Sequence, residues 1–126
     1  MKSTWSRSWV RSVQPRKQRK YIYNAPAHIL RKLMGAPLTK ELRKQYGKRN
    51  LAIRVGDTIK ITTGQFKGTI GKVERVNVQK QRLFVAGAEQ VKSNGQLAQY
   101  PIHPSNVMIV TPKLNDKKRK GALNRK

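Results

Sequence analysis

Three kinds of residue in this chain could do chemistry: five acids, two histidines, and a glycine–lysine run between Gly64 and Lys72. The acids are Glu41, Asp57, Glu74, Glu89 and Asp116, and no two have the helical or short-loop spacing of a carboxylate pair. His28 and His103 lie far apart, with no motif around either. Cysteine is absent, which removes thiolate nucleophiles, thiolate metal sites and disulfides. Distant residues can meet in a fold, so the enzyme to test against is a small basic ribonuclease, by an RNA-cleavage assay. The sequence supports no enzyme: no catalytic, cofactor-binding or metal-binding residue is expected, and no small-molecule substrate. The glycine–lysine run is more informative. A P-loop would need Gly at Phe66 and Ser or Thr at Val73, and a dinucleotide fingerprint would also need Gly at 66 and a following helix. What the run retains is backbone left bare at Gly64, Gly68 and Gly71, with Gln65, Lys67 and Lys72 beside it, an arrangement suited to phosphate. The plainer alternative is turn glycines in a small barrel.

Charge favours the phosphate reading. Lys and Arg number 29 against 5 Asp and Glu, a formal net charge of +24. A globule with that charge repels itself unless a polyanion neutralises it, and nucleic acid is the first candidate. An acidic membrane surface is the second, but no long apolar stretch or anchoring amphipathic helix supports it, and no membrane span is expected. The basic N-terminus has no apolar segment of the secretory kind, so a soluble intracellular protein is expected. Residues 1–50 carry +13, residues 51–110 +5 and residues 111–126 +6. The middle therefore has the composition of a folded core between basic flanks. The flanking cations form short runs: Arg16, Lys17, Arg19 and Lys20 in an extended arm without apolar residues, then Arg31-Lys32, Arg43-Lys44, Lys48-Arg49, and Lys117-Lys118-Arg119.

The elements that must hold these groups follow from periodicity and turn residues. Thr58 to Thr62 alternate, placing Ile59 and Ile61 on one face of a strand and Lys60 on the other. A second strand runs to Val78. Val73 and Val76 are out of step, which predicts a bulge near Glu74-Arg75. Arg82 to Ala86 and Leu97 to Tyr100 are further strands, with Gly87 as a break and Asn94-Gly95 as a hairpin signal. Val107 to Val110 is a fifth, after one helical turn in 101–106. Five short strands with glycine-rich turns predict an SH3-like barrel. Ahead of it, two short helices are expected. One starts at Asn24-Ala-Pro26 with Asn24 as cap and ends at Gly35; the other runs Leu38 to Tyr46 with Thr39 as cap and Gly47 as terminator. Trp5 and Trp9 lie four apart and could share a helix face or stack on bases. The tail is basic and helical from Asn115.

The stretch Val55 to Val78 resembles the KOW motif, a strand–glycine-turn–strand unit of RNA-associated proteins. Asn24-Ala-Pro-Ala-His28, Arg31-Lys-Leu-Met34, Pro37-Leu-Thr-Lys-Glu-Leu-Arg43, the KOW stretch and Ile102-His-Pro-Ser-Asn-Val107 occur in that order. Together they resemble the universal large-subunit ribosomal protein twenty-four family in its archaeal and eukaryotic form, archaeal-like in its arm and short tail. Residues 1–13 match no part of that pattern. The resemblance implies a mainly β fold: a basic extension over 1–23, two short helices over 24–50, an SH3-like KOW barrel over 51–111 and a basic tail over 112–126. It implies a structural constituent of the large ribosomal subunit in the cytoplasm, binding ribosomal RNA early in assembly near the 5′ region and the peptide exit tunnel. Neighbouring large-subunit proteins would be its other partners. The cation runs above, the turn residues Gly64 to Lys72 and His103 would face the RNA. The alternative is a non-ribosomal KOW module of the transcription machinery, which would bring a separate α/β domain ahead of the KOW.

Overall fold

The computed structural model describes residues 5–9 and 12–125. From Pro15 the chain is helical rather than extended. In α1 (Pro15–Asn24) proline occupies the first turn, where its missing N–H costs nothing, and Gln, Arg and Lys follow. These straight side chains lose little freedom in a helix. The expectation of an aperiodic arm failed because it weighed apolar periodicity over this intrinsic propensity. Asn24 therefore ends α1 instead of capping the next helix. That helix, α2 (Ala27–Leu33), starts after an extended Pro26 and buries Leu30.

Gly35, expected to terminate a helix, opens a strand. β1 (Gly35–Pro37) pairs antiparallel with β2 (Asn50–Ala52), Gly35 opposite Ala52. Between them lies α3 (Lys40–Tyr46), with Thr39 at the N-cap position and Gly47 at φ 66° as its left-handed terminator. Thr39 caps through its carbonyl, which accepts from Arg43 N–H at 2.9 Å, and its side chain makes no capping bond.

Residues 58–111 hold the main sheet. Its strands are β3 (Thr58–Ile61), β4 (Ile70–Asn77), β5 (Arg82–Val85) and β8 (Val107–Thr111), in the order β5–β4–β3–β8. The expected bulge lies between Val73 and Arg75, where the register with β5 shifts. A separate hairpin, β6 (Glu89–Val91) and β7 (Leu97–Gln99), turns through Ser93-Asn94-Gly95, with Gly95 at φ 83°. A 3₁₀ turn at Pro104–Asn106 leads into β8.

Alternation along β3 buries Ile59 and Ile61 and exposes Lys60. Val73, Leu83, Val85, Val107 and Ile109 meet them, and Met34, Ala36 and Leu38 from the helical region complete the same core. The fold is mainly β and SH3-like. No ladder runs from β5 round to β8; single bridges, Leu83 with Ile102 and Leu38 with Ile109, hold the sheet around the core, so the barrel stays open.

The tail docks. In α4 (Lys117–Asn124) Asp116 caps the first turn, accepting from Lys118 N–H at 2.9 Å, and Leu123 is buried. Among the described residues no helix is long and apolar enough to cross a membrane.

Candidate nucleic-acid interface

The turn between β3 and β4 is built by two glycines. Gly64 and Gly68 stand at φ 101° and 91°, a region costly for any side chain, and the space where a Cβ would point is empty at both. Four backbone bonds close the turn, one of them from Ile61 N–H to the Thr69 carbonyl at 2.9 Å. Gly68 N–H donates to the Ile61 carbonyl at 2.8 Å, Thr69 N–H to Phe66 at 3.1 Å and Lys67 N–H to Gly64 at 3.2 Å. Gly64 and Gly68 are exposed, as are Gln65 and Lys67 beside them. This is the geometry a phosphate can approach closely.

One groove joins this turn to a distant segment. Gly64, Gln65 and Phe66 line it with Arg82, Tyr100 and His103. The rings of Phe66 and Tyr100, both in its lining, lie 5.3 Å apart and tilted. His103 precedes the 3₁₀ turn, and its Nδ1 accepts from Ser105 N–H at 3.2 Å and lies 2.8 Å from Ser105 Oγ. Accepting from a backbone N–H leaves Nδ1 unprotonated, so the neutral ring carries its proton on Nε2. Partial burial, and then the charge of Arg82, hold the His103 pKa below the usual imidazole value. Gly64, Gln65 and His103 were each legible in the sequence. Arg82 and Tyr100 were not, because the Leu83–Ile102 bridge that brings them here is long-range.

Gly71 serves another purpose. A Cβ there would collide with the Ala86 carbonyl and Val85 Cγ1. Its bare backbone accommodates the neighbouring strand, so the expected approach of phosphate to Gly71 is replaced by strand packing. Lys72, the next residue, is exposed on β4 opposite Thr58.

The helical cations divide by what else they touch. Arg16, Lys17, Arg19 and Lys20 are all exposed on α1. Arg31 and Lys32 are exposed in the last turn of α2, where the helix dipole favours positive charge. Lys44 and Arg49 are exposed and Lys48 is half-buried. Arg43 is partly committed, since its Nε donates to the Leu38 carbonyl at 2.7 Å. Lys117 and Lys118 are exposed on α4.

Arg119 departs from the expectation of a surface cation. It is 4% exposed, and its guanidinium donates to both carboxylate oxygens of Asp57 at 2.6 Å each. It also donates to the carbonyls of Lys113 at 2.9 Å and Ala52 at 3.0 Å. Asp57 is fully buried and accepts two backbone N–H bonds besides, from Arg54 and Lys113. This pair belongs to the scaffold. On the surface, Arg54 donates to Asp116 at 2.5 Å. That bond, and then the Lys118 N–H, hold the Asp116 carboxyl below its usual pKa.

The described residues contain no group of three or more acids and histidines able to hold a metal ion. What the surface offers is positive charge, an open glycine turn and a groove lined by Phe66, Tyr100, Arg82 and His103.

Residues 12–126 match the family model for eukaryotic ribosomal proteins L26 and their archaeal L24 counterparts. Large ribosomal subunit protein uL24 of Nanoarchaeum equitans (strain Kin4-M) is 48% identical over 121 residues, covering 96% of this chain and 81% of that protein. The order of helices, the KOW hairpin and the His103 segment lie within that match. With a family model spanning nearly all of the described fold and a relative this similar along it, the chain belongs to the ribosomal protein family that comprises eukaryotic L26 and archaeal L24.

Proposed function

We propose that this chain is a structural constituent of the large ribosomal subunit and binds large-subunit ribosomal RNA. The observation that carries the reading is family membership over residues 12–126. The cation distribution supports it: among the described residues only Arg54 and Arg119 are paired with acids, which leaves the other arginines and lysines to meet an external polyanion. The open turn at Gly64–Lys67 supplies a rigid phosphate contact with little side-chain entropy to lose. The cations of α1, α2, α3 and α4 would lie along RNA backbone. A-form major grooves are too narrow for side chains, so affinity comes from phosphate and specificity from shape. Binding early in assembly, near the 5′ region of the RNA and the exit tunnel and beside other large-subunit proteins in the cytoplasm, follows from the same family reading. No catalytic role is part of it.

The test is a pair of salt titrations against large-subunit RNA and duplex DNA of equal length. The RNA should bind more tightly, with a steep loss of affinity as salt rises. Replacing Arg16, Lys17, Arg19 and Lys20 by Gln should flatten the slope of log K against log salt by up to ~3 units, at roughly 0.7–0.9 per phosphate contact. Equal affinity for the duplex DNA would reduce the chain to a generic polyanion binder, and an unchanged slope would remove α1 from the interface.

A further inference from the structure

Trp5 and Trp9 lie ahead of the family match, which begins at residue 12. Trp5 and Trp9 both pack on Tyr21 of α1, each with ring centroids 5.2 Å away and tilted by 38° and 30°. Trp5 Nε1 donates to the Tyr21 carbonyl at 3.1 Å, which fixes that indole to the helix. The three rings border a concavity whose remaining wall is Lys17, Lys20, Asn24 and Ser6. Both tryptophans are half-buried and line this concavity. The first acid in the chain is Glu41, so no carboxylate within the first forty residues offsets the two lysines.

Each component has a defined chemistry. A concavity bordered by indole and phenol rings takes a flat π-system, and ammonium groups at its edge take the phosphate attached to it. Asn24 supplies an amide able to donate to and accept from a base edge. A paired base cannot reach the site, because its faces are already stacked in the duplex. We propose that the Trp5–Trp9–Tyr21 cluster with Lys17 and Lys20 is a binding site for an unpaired RNA nucleotide, its base stacked on the tryptophans and its phosphate held by the lysines. The proposal rests on the RNA-binding reading for its ligand class and adds to it a site that recognises single-stranded rather than helical RNA. An apolar or proline-rich peptide is the competing occupant for an aromatic concavity; the two lysines, with no neighbouring acid, favour the anion.

Trp5 and Trp9 are the only tryptophans in the chain, so tryptophan emission, excited selectively over that of the four tyrosines, reports on this site. The full chain is titrated with a single-stranded adenine hexanucleotide, with an RNA duplex of the same strand length, and with a polyproline peptide, and binding is followed separately by mobility shift. The single strand should quench the tryptophan emission and the duplex should not. Lys17→Gln with Lys20→Gln, which leaves the rings in place, should flatten the salt slope of the single-strand interaction by about 1.4, at roughly 0.7 per phosphate contact. Trp9→Leu should weaken single-strand binding on the order of tenfold, the contribution of one stacked base. If RNA binds by mobility shift with no change in emission, the proposal fails and the RNA-binding reading stands. If no RNA binds at all, both fail. Quenching by the peptide in place of the single strand would overturn the proposal in favour of a protein partner.

Discussion

Gly71 shows how a residue of the right type can serve a different need from the one its spacing suggests. Gly64, Gly68 and Gly71 look alike in the sequence, but the first two stand at positive φ over open space while the third faces the Ala86 carbonyl. Gly71→Ala must therefore push two strands apart, at a cost of about 1–3 kcal/mol for overpacking. Urea unfolding should show the midpoint fall, with RNA affinity of the folded fraction unchanged; lost affinity at unchanged stability would restore Gly71 to the interface. Partial burial, and then the charge of Arg82, lower the pKa of His103. Its folded pKa lies below the ordinary ~6.5, so the unfolded chain takes up the proton first as pH falls. His103 therefore contributes stability that is present above pH ~6.5 and lost as pH drops through the folded value. Thermal melts at about pH 7.5 and 5.5 should show a smaller pH-dependent drop for His103→Asn, which keeps a capping acceptor but does not titrate. An identical drop in variant and parent would mean that the ring proton is not coupled to folding.

At the scale of elements, what could be foreseen was whatever a local rule decides. Gly47 ends α3 because a left-handed residue is needed there, and the misphased valines at 73 and 76 required the bulge. Asn94-Gly95 marked a hairpin for the same reason. Hidden were the elements decided by partners distant in sequence. β1 is Gly-Ala-Pro, too short and too weak in β propensity to announce itself, and it forms because Ala52 and its neighbours lie opposite. Arg119 sits in a basic run that reads as solvated surface. It is buried because Asp57, whose position reads as a turn, offers two carboxylate oxygens at the floor of the tail's docking site. Of the candidate interface, the glycine turn and the cation runs were therefore legible, while Arg82, Tyr100 and the loss of Arg119 were not. The Asp57–Arg119 pair is what fastens α4 to the sheet. Asp57→Asn leaves a buried guanidinium without its counter-charge and should cost about 3–5 kcal/mol. Lys117→Gln, two residues from Arg119 and exposed, should cost almost nothing. Chemical denaturation of both variants measures the difference, and equal small effects would mean that the tail's docking is incidental to stability.

For the whole molecule the dominant quantity is +24 of formal charge on 126 residues. Only two acids are spent internally on ion pairs among the described residues, and one of these pairs is buried scaffold. A small SH3-like sheet with a core drawn from both its strands and the β1 region supplies the rigidity. The segments on either side, residues 1–50 and 111–126, carry most of the surplus charge, with the open turn at Gly64–Lys67 between them in the chain. Such a molecule is most stable as part of a complex whose phosphates relieve its self-repulsion. The most direct measurement is co-sedimentation of the purified full chain with large ribosomal subunits stripped of their own copy of this protein, at rising salt. The chain should pellet with the large subunit and not the small one, stoichiometrically at low salt, and be released as salt increases. Equal pelleting with both subunits, or none with the large one, would contradict a structural role in the large subunit.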